Sequence, residues 1–333
     1  MNKNSFRLMV MLAGALVWAG CNKAGKLETP SKLTPPSGPV ELKWKWPVGE
    51  RALHRFDMRM NSVISVPSMP QPIKQAVDLG QEYALTVLQQ TPDGGHEVEL
   101  EFLSVRMMVA MGGRTNVDYD SAKPAVDTKN ETTAMLTKPF DRIIGTKIQY
   151  YLDASNQVQR IDGVDALLAK FGRSDAGGGG NFKDMFSEGY LKQLVSGAQL
   201  LPSKPVQPGD TWPVHLEMAM NTMGNMTLDY NYTLQGWEKY GARTCARMEF
   251  QGTVKNTPGA SPLPNGMTIN LQDGTLSGVS WFDPELGLIV ESDVDQDMNM
   301  VMNVPINERG MQVTQTMTNQ MHQTIVFKLE SVK

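Results

Sequence analysis

A chain of 333 residues, 41% of them hydrophobic and 20% charged, is long enough for one large domain or two medium ones with a substantial core. Its formal net charge of −4 argues against nucleic acid as a partner and against electrostatic adhesion to anionic lipid. With only Cys21 and Cys245 present, no disulfide framework can organise it.

The first residues read as an export signal. Lys3 and Arg7 form a short basic head, Leu8 to Trp18 run without a charge, and Ala19-Gly20-Cys21 ends the run with small residues and a thiol. A spanning helix needs about 20 apolar residues, and this core has about a dozen, so residues 1–20 form a signal peptide rather than a membrane span. The stretch resembles the bacterial lipobox, with Trp18 where Leu is usual. That resemblance implies cleavage between Gly20 and Cys21 and acylation of Cys21, with the membrane as a partner through covalent lipid such as palmitate. Asn22, where an Asp commonly signals inner-membrane retention, favours the outer membrane over the inner.

Residues 21–40 contain Pro30, Pro35, Pro36 and Pro39 and little that is large and apolar, which predicts an extended tether reaching up to ~60 Å. From Leu42 the apolar period becomes two. Phe56, Met58 and Met60 alternate with Arg55, Asp57 and Arg59, and similar runs cover residues 79–87 and 98–102. These predict antiparallel strands in a first β half, residues 41–161, ending in a hairpin over Ile148–Ile161 that turns at Ala154-Ser155-Asn156. The polar segment Gly112–Glu131 has no usable period and is expected to be a loop.

Residues 162–200 predict a helical insert. Val164, Leu167, Leu168 and Phe171 fall on one helical face, with Asp162 as the expected cap and Gly172 at the stop. A second helix is expected from Asn181 to Gln199, after a Gly-rich joint at Gly177–Gly180. Strand patterns resume over residues 201–333 and include two long runs, Leu288–Val304 and Met311–Leu329. Strands that long require bends or bulges.

The two β halves look like copies. Gly49-Glu50 precedes Met58-Arg59-Met60-Asn61-Ser62 as Gly209-Asp210 precedes Met218-Ala219-Met220-Asn221-Thr222. Tyr83 and Thr86 lead to Phe102 as Tyr230 and Thr233 lead to Phe250, and Tyr151-Leu152-Asp153 matches Trp281-Phe282-Asp283. The expected architecture is mainly β within the α+β class. Two curved antiparallel meanders form a half-barrel or barrel-like sheet, with two helices between them.

This order, with Leu-Pro-x-x-Pro-Val-x-x-Gly-Asp-x-Trp at Leu201–Trp212, resembles a family of exported bacterial lipoproteins known only as a domain of unknown function. The resemblance covers most of residues 41–331 and implies no activity. At the level of architecture alone the chain is similar to periplasmic lipid and lipoprotein carriers.

Chemistry-bearing motifs are few. The four histidines His54, His96, His215 and His322 form no HExxH, and Gly278-Val279-Ser280-Trp281-Phe282 lacks the closing Gly of a nucleophile elbow, so no catalysis is expected. Asp293-x-Asp295-x-Asp297 lacks the Gly and Glu of a calcium loop, and alternation puts it on a solvated face. No metal or cofactor is expected. Methionines cluster at Met218–Met226 and Met298–Met321, with His215 and His322 nearby, which admits Cu(I) binding. Flexible lining for a core or a ligand explains them more simply. The candidate ligand-facing residues are therefore Met218, Met220, Met298, Met300, Met302, Phe182 and Phe186. Two functions are expected to compete: binding of a lipid or other apolar ligand, and structural or assembly work by protein contact.

Overall fold

The structure is a computed structural model that describes residues 35–123, 137–138, 140–170, 188–220, 224–257, 266–308 and 311–333. The signal, Cys21, most of the tether, the Gly-rich joint, Phe182 and Phe186 lie outside the described residues.

The chain is one antiparallel sheet, mainly β as its alternation predicts. The first half contributes β1 (Arg51–Ser65), β2 (Ile73–Gln90), β3 (His96–Met111), β4 (Arg114–Asp120), β5 (Lys147–Leu152) and β6 (Val158–Asp162). The second contributes β7 (Thr211–Met220), β8 (Gly224–Tyr240), β9 (Arg243–Thr257), β10 (Thr268–Asp283), β11 (Leu288–Glu308) and β12 (Met311–Val332). The 12 strands run β6-β5-β3-β2-β1-β12-β11-β10-β9-β8-β7, with β4 paired to β3. Each half is a meander of sequential neighbours, and β1 against β12 joins them into a single sheet. The sheet does not close into a barrel. Its edge strands β6 and β7 are bridged instead by a short helix, α2 (Glu188–Gln193), which packs against both.

The halves repeat each other in register. Gly49 N–H donates to Val87 O at 2.9 Å and Val87 N–H to Glu50 O at 3.0 Å, just as Gly209 N–H donates to Leu234 O at 2.8 Å and Leu234 N–H to Asp210 O at 3.0 Å. Both glycines have positive φ, 85° and 96°, which an L side chain adopts only under strain. The register then slips immediately after Val87 in one copy and after Leu234 in the other. It slips again at Tyr151/Leu152 and at Trp281/Phe282. Asp153 and Asp283 close the matching turns by accepting backbone N–H groups two residues on, at 2.8 Å each. Irregularities at the same places are independent of hydrophobic alternation, so they establish the duplication. They also correct its alignment: Met248 pairs with Leu234 as Val98 pairs with Val87, so Phe250 corresponds to Leu100 and not to Phe102.

Three local expectations give way. Within the segment expected to be a loop, Arg114–Asp120 forms β4, because Gly112 and Gly113, both at positive φ, turn β3 back and Val117 finds a buried place against Val109. The first helix, α1, is only Val164–Ala169 and is capped by left-handed Gly163, while Asp162 ends β6. The second expected helix does not reach Gln199. It ends at Gln193 and re-forms as a 3₁₀ turn over Ser196–Leu200, so the chain bends to follow the sheet edge.

The concave face carries the main core, which runs unbroken across both halves. A smaller cluster of Ala52, Cys245, Leu288, Val290 and Leu329 packs separately, under Tyr240 and Trp281. No helix among the described residues is long and apolar enough to cross a membrane.

Candidate functional site

The site is an apolar cavity of about 270 Å³ between the concave face of the second half and the segment made of α2 and the 3₁₀ turn. That is close to the lower end of small-molecule pockets, about 300–1,000 Å³. Its cover is held from three directions. From the first half, the buried Tyr150 hydroxyl donates to Leu191 O at 3.0 Å. From β7, Trp212 Nε1 donates to Leu200 O at 3.0 Å. From the segment before β1, the Trp44 ring lies on Gly197 so closely that a Cβ there would overlap it.

The sequence motif Leu201–Trp212 builds this corner. Val206 exchanges two 2.8 Å backbone bonds with Val40, Asp210 accepts from Gln207 N at 2.9 Å, and Gly209 turns the chain into β7. Trp212 then stacks on Tyr232 at 5.6 Å, and Tyr232 leans on Phe250 at 4.8 Å. These rings, with Tyr230, Leu228 and Leu276, make one wall. The floor is Ile289, Val294 and Phe327 with two polar residues, Ser292 and Gln296. Burial pushes the Tyr230 and Tyr232 hydroxyls well above their ordinary pKa, so both remain neutral.

Polar chemistry is divided between floor and mouth. On the floor, Ser292 Oγ shares a 2.8 Å bond with Ser280, Gln296 accepts from Gln323 Nε2 at 2.6 Å, and Gln296 Nε2 reaches the Met298 thioether at 3.5 Å. At the mouth, the charges are already paired. Lys192 meets Glu188 at 2.8 Å, and exposed His215 lies 2.7 Å from Asp229 and 3.4 Å from Glu217. The hydrogen bonds to Asp229 and Glu217 raise the pKa of His215.

The expected ligand-facing residues are distributed differently. Met298, Met300 and Met302 are buried on the concave face but are not among the lining residues; Met298 meets the cavity only through Gln296. Met218 and Met220 lie in β7 opposite Met226 and Gly224. His322 alternates to the convex side, 2.9 Å from Asp297, away from Met321 on the concave face. Among the described residues no group of His, Cys, Asp and Glu could hold a metal ion. Cys245 is fully buried and its thiol is pushed up to about 12 by desolvation, which removes it as a nucleophile. Gln296, Ser292, Gly197 and Lys192 escape sequence reasoning. The only signal for them is the interruption of an apolar face by Ser and Gln.

Solved structures resembling the chain are distant. Lipovitellin matches at 10% identity and a TM-score of 0.42, over 87% of this chain and 26% of its own, so the chain spans about a quarter of that protein. A protein assigned as exported, with YmcC-like fold, from Bacteroides fragilis NCTC 9343 matches at 12% identity and 0.28, over 88% and 100%. A protein assigned as a lipoprotein from Parabacteroides distasonis ATCC 8503 gives 10% and 0.27, over 88% and 100%. No curated protein matches the sequence. A family model described as a family of unknown function, DUF6263, matches residues 93–289, more than half of the chain.

Proposed function

The chain belongs to DUF6263, a family of unknown function, and from that premise we propose that it is a lipid-anchored protein of the cell envelope whose β-rich domain binds an apolar ligand without performing chemistry. The observation that carries this reading is the cavity itself. An apolar space left open between sheet and helices is stabilised when apolar surface enters it and excludes water, at roughly 25 cal/mol per Å². A solid core in that place would have favoured protein contact instead.

The anchor is a separate part of the proposal. It rests on Lys3, Arg7, the uncharged run and Ala19-Gly20-Cys21, with Asn22 favouring the outer membrane. Anchoring would set the cavity to work within reach of a bilayer, where apolar ligands are found. The absence of a catalytic role is equally part of the reading: the one histidine lining the cavity is exposed and paired with two carboxylates.

Native mass spectrometry of the purified chain after incubation with extracted envelope lipids tests the ligand. Retained lipid, lost on filling the floor by Ser292→Leu, is the expected result. An apo mass under the same conditions moves the assignment to an assembly role. Labelled palmitate incorporated by the wild-type chain and not by Cys21→Ala tests the anchor.

A further inference from the structure

Gln296 is 3% exposed and lies on the floor of an apolar cavity, with its hydrogen-bonding capacity only half used. Its carbonyl accepts from Gln323 Nε2 at 2.6 Å, which leaves the amide nitrogen to donate. That nitrogen carries two hydrogens, and among the described residues its one acceptor is the Met298 sulfur at 3.5 Å. A thioether is a weak acceptor. Burying an amide N–H without a good acceptor is costly, on the order of 1–3 kcal/mol. Ser292, 9% exposed, supplies a hydroxyl on the same floor, bonded to Ser280.

We infer that the ligand is an uncharged molecule whose apolar body carries a carbonyl, as an ester, amide or ketone, and that this carbonyl accepts a hydrogen bond from Gln296 Nε2 at the cavity floor. The inference rests on the reading that the cavity takes an apolar ligand, and adds its chemical class.

Charge decides against the obvious rival, a free fatty acid. Besides the neutral tyrosines, the ionisable lining residues are Lys192, His215 and Glu217, all at the mouth. Lys192 is paired with Glu188, and His215 with Asp229 and Glu217, so among the described residues the rim offers no spare cation and carries an excess of acids. A carboxylate on the floor would be desolvated without a counter-charge, which an apolar site does not repay. A neutral carbonyl faces no such penalty and completes the Gln296 donor set.

The test compares three probes built on a ten-carbon chain, n-decane, methyl decanoate and decanoate, on the purified full-length chain at pH 8. We expect methyl decanoate to bind about tenfold more tightly than either of the others, the size of one well-made hydrogen bond. Gln296→Leu should abolish the advantage of the ester over decane. Since that change removes the acceptor of Gln323 Nε2, the double variant Gln296→Leu/Gln323→Leu, which removes both members of the pair, provides a second background for the same comparison. Decane binding without preference for the ester, or a preference that survives both variants, overturns the carbonyl assignment and leaves the apolar cavity standing. Decanoate binding as tightly as the ester also overturns it. Binding of neither decane nor ester sinks the cavity reading as well.

Discussion

Where the first half of the sheet carries Tyr150, the second carries Ser280, and where the first carries Ile148, the second carries Gly278. These positions correspond through the register, since Tyr150 and Ile148 face Val98 and Leu100 as Ser280 and Gly278 face Met248 and Phe250. In the first half, the large side chains fill the concave face and the Tyr150 hydroxyl holds α2. In the second half, Phe250 tips over the bare backbone of Gly278, and the small, buried Ser280 bonds Ser292 on the cavity floor. One scaffold, used twice, gives a packed copy and a hollow copy. The cavity thus follows from which side chains are small, while the sheet topology is common to both.

The sharpest way to break this comparison is to give the first half the residue of the second. Tyr150→Ser removes a buried ring and the bond to Leu191 O, and should destabilise the chain by about 3–5 kcal/mol, the usual size for losing a large core side chain. The midpoint of denaturant unfolding reads it. A loss below ~1 kcal/mol would mean that Tyr150 is not what fills the first half.

A second difference lies one row away, where His54 in β1 corresponds to Val214 in β7, opposite Tyr83 and Tyr230 respectively. His54 is sandwiched between Tyr83 at 5.3 Å and Phe327 at 4.9 Å, and neither ring nitrogen has a partner among the described residues. Burial pushes its pKa down to about 3, from 6.5 in the open chain. The unfolded chain therefore binds the extra proton between about pH 3 and 6.5, and stability must fall as pH is lowered through that window. Asp293 works in the opposite sense. Burial and Glu291 raise its pKa to about 6, from 3.8, so the folded chain holds that proton and gains between about pH 4 and 6. The histidine has the wider window and the deeper burial, so it decides the sign. From pH 7 to pH 4 it should cost on the order of 3 kcal/mol. His54→Phe keeps the stacked ring, removes the titration and should flatten the acid limb of a stability-versus-pH curve. An unchanged limb would place the acid sensitivity elsewhere.

The repeat behind this comparison is legible in the sequence, whereas its alignment at Phe250 and the cavity are not. Gly49 and Gly209, Tyr151-Leu152-Asp153 and Trp281-Phe282-Asp283, and the long runs ending the chain all signal a repeated meander, because turn glycines and alternation are local properties. Which part of a concave face is filled depends instead on volumes summed across six strands. Met298, Met300 and Met302 have the pattern of cavity lining and are core, whereas Ser292 and Gln296 look like lapses in an apolar run and lie on the floor. The 3₁₀ turn escapes sequence reasoning for a similar cause: apolar spacing marks a helical face but not the point where the sheet edge forces the axis to bend. Arg114–Asp120 shows the converse, a strand made by pairing and a tight glycine turn rather than by its own apolar pattern.

The smallest expected effect concerns the two tryptophans before β1, whose rings lie 5.8 Å apart and serve different halves. Trp46 Nε1 donates to Asn156 Oδ1 at 2.8 Å, in the turn that ends β5 of the packed copy. Trp44 belongs to the hollow copy, where it lines the cavity and rests on Gly197. Gly197→Ala inserts a methyl group into that ring. Ala gains up to about 1 kcal/mol over Gly from backbone propensity in a helical turn, and overpacking costs about 1–3 kcal/mol, so the net loss should be on the order of 1 kcal/mol. The displaced ring sits at the cavity wall, so ligand affinity should fall although Gly197 contributes no side chain of its own. The packed copy should be unaffected: Trp46→Phe, which forfeits the Asn156 bond, should cost a similar amount of stability and leave affinity alone. If instead Gly197→Ala changes stability and not affinity, Trp44 is only a spacer between cover and sheet, and the boundary of the cavity must be drawn inside it.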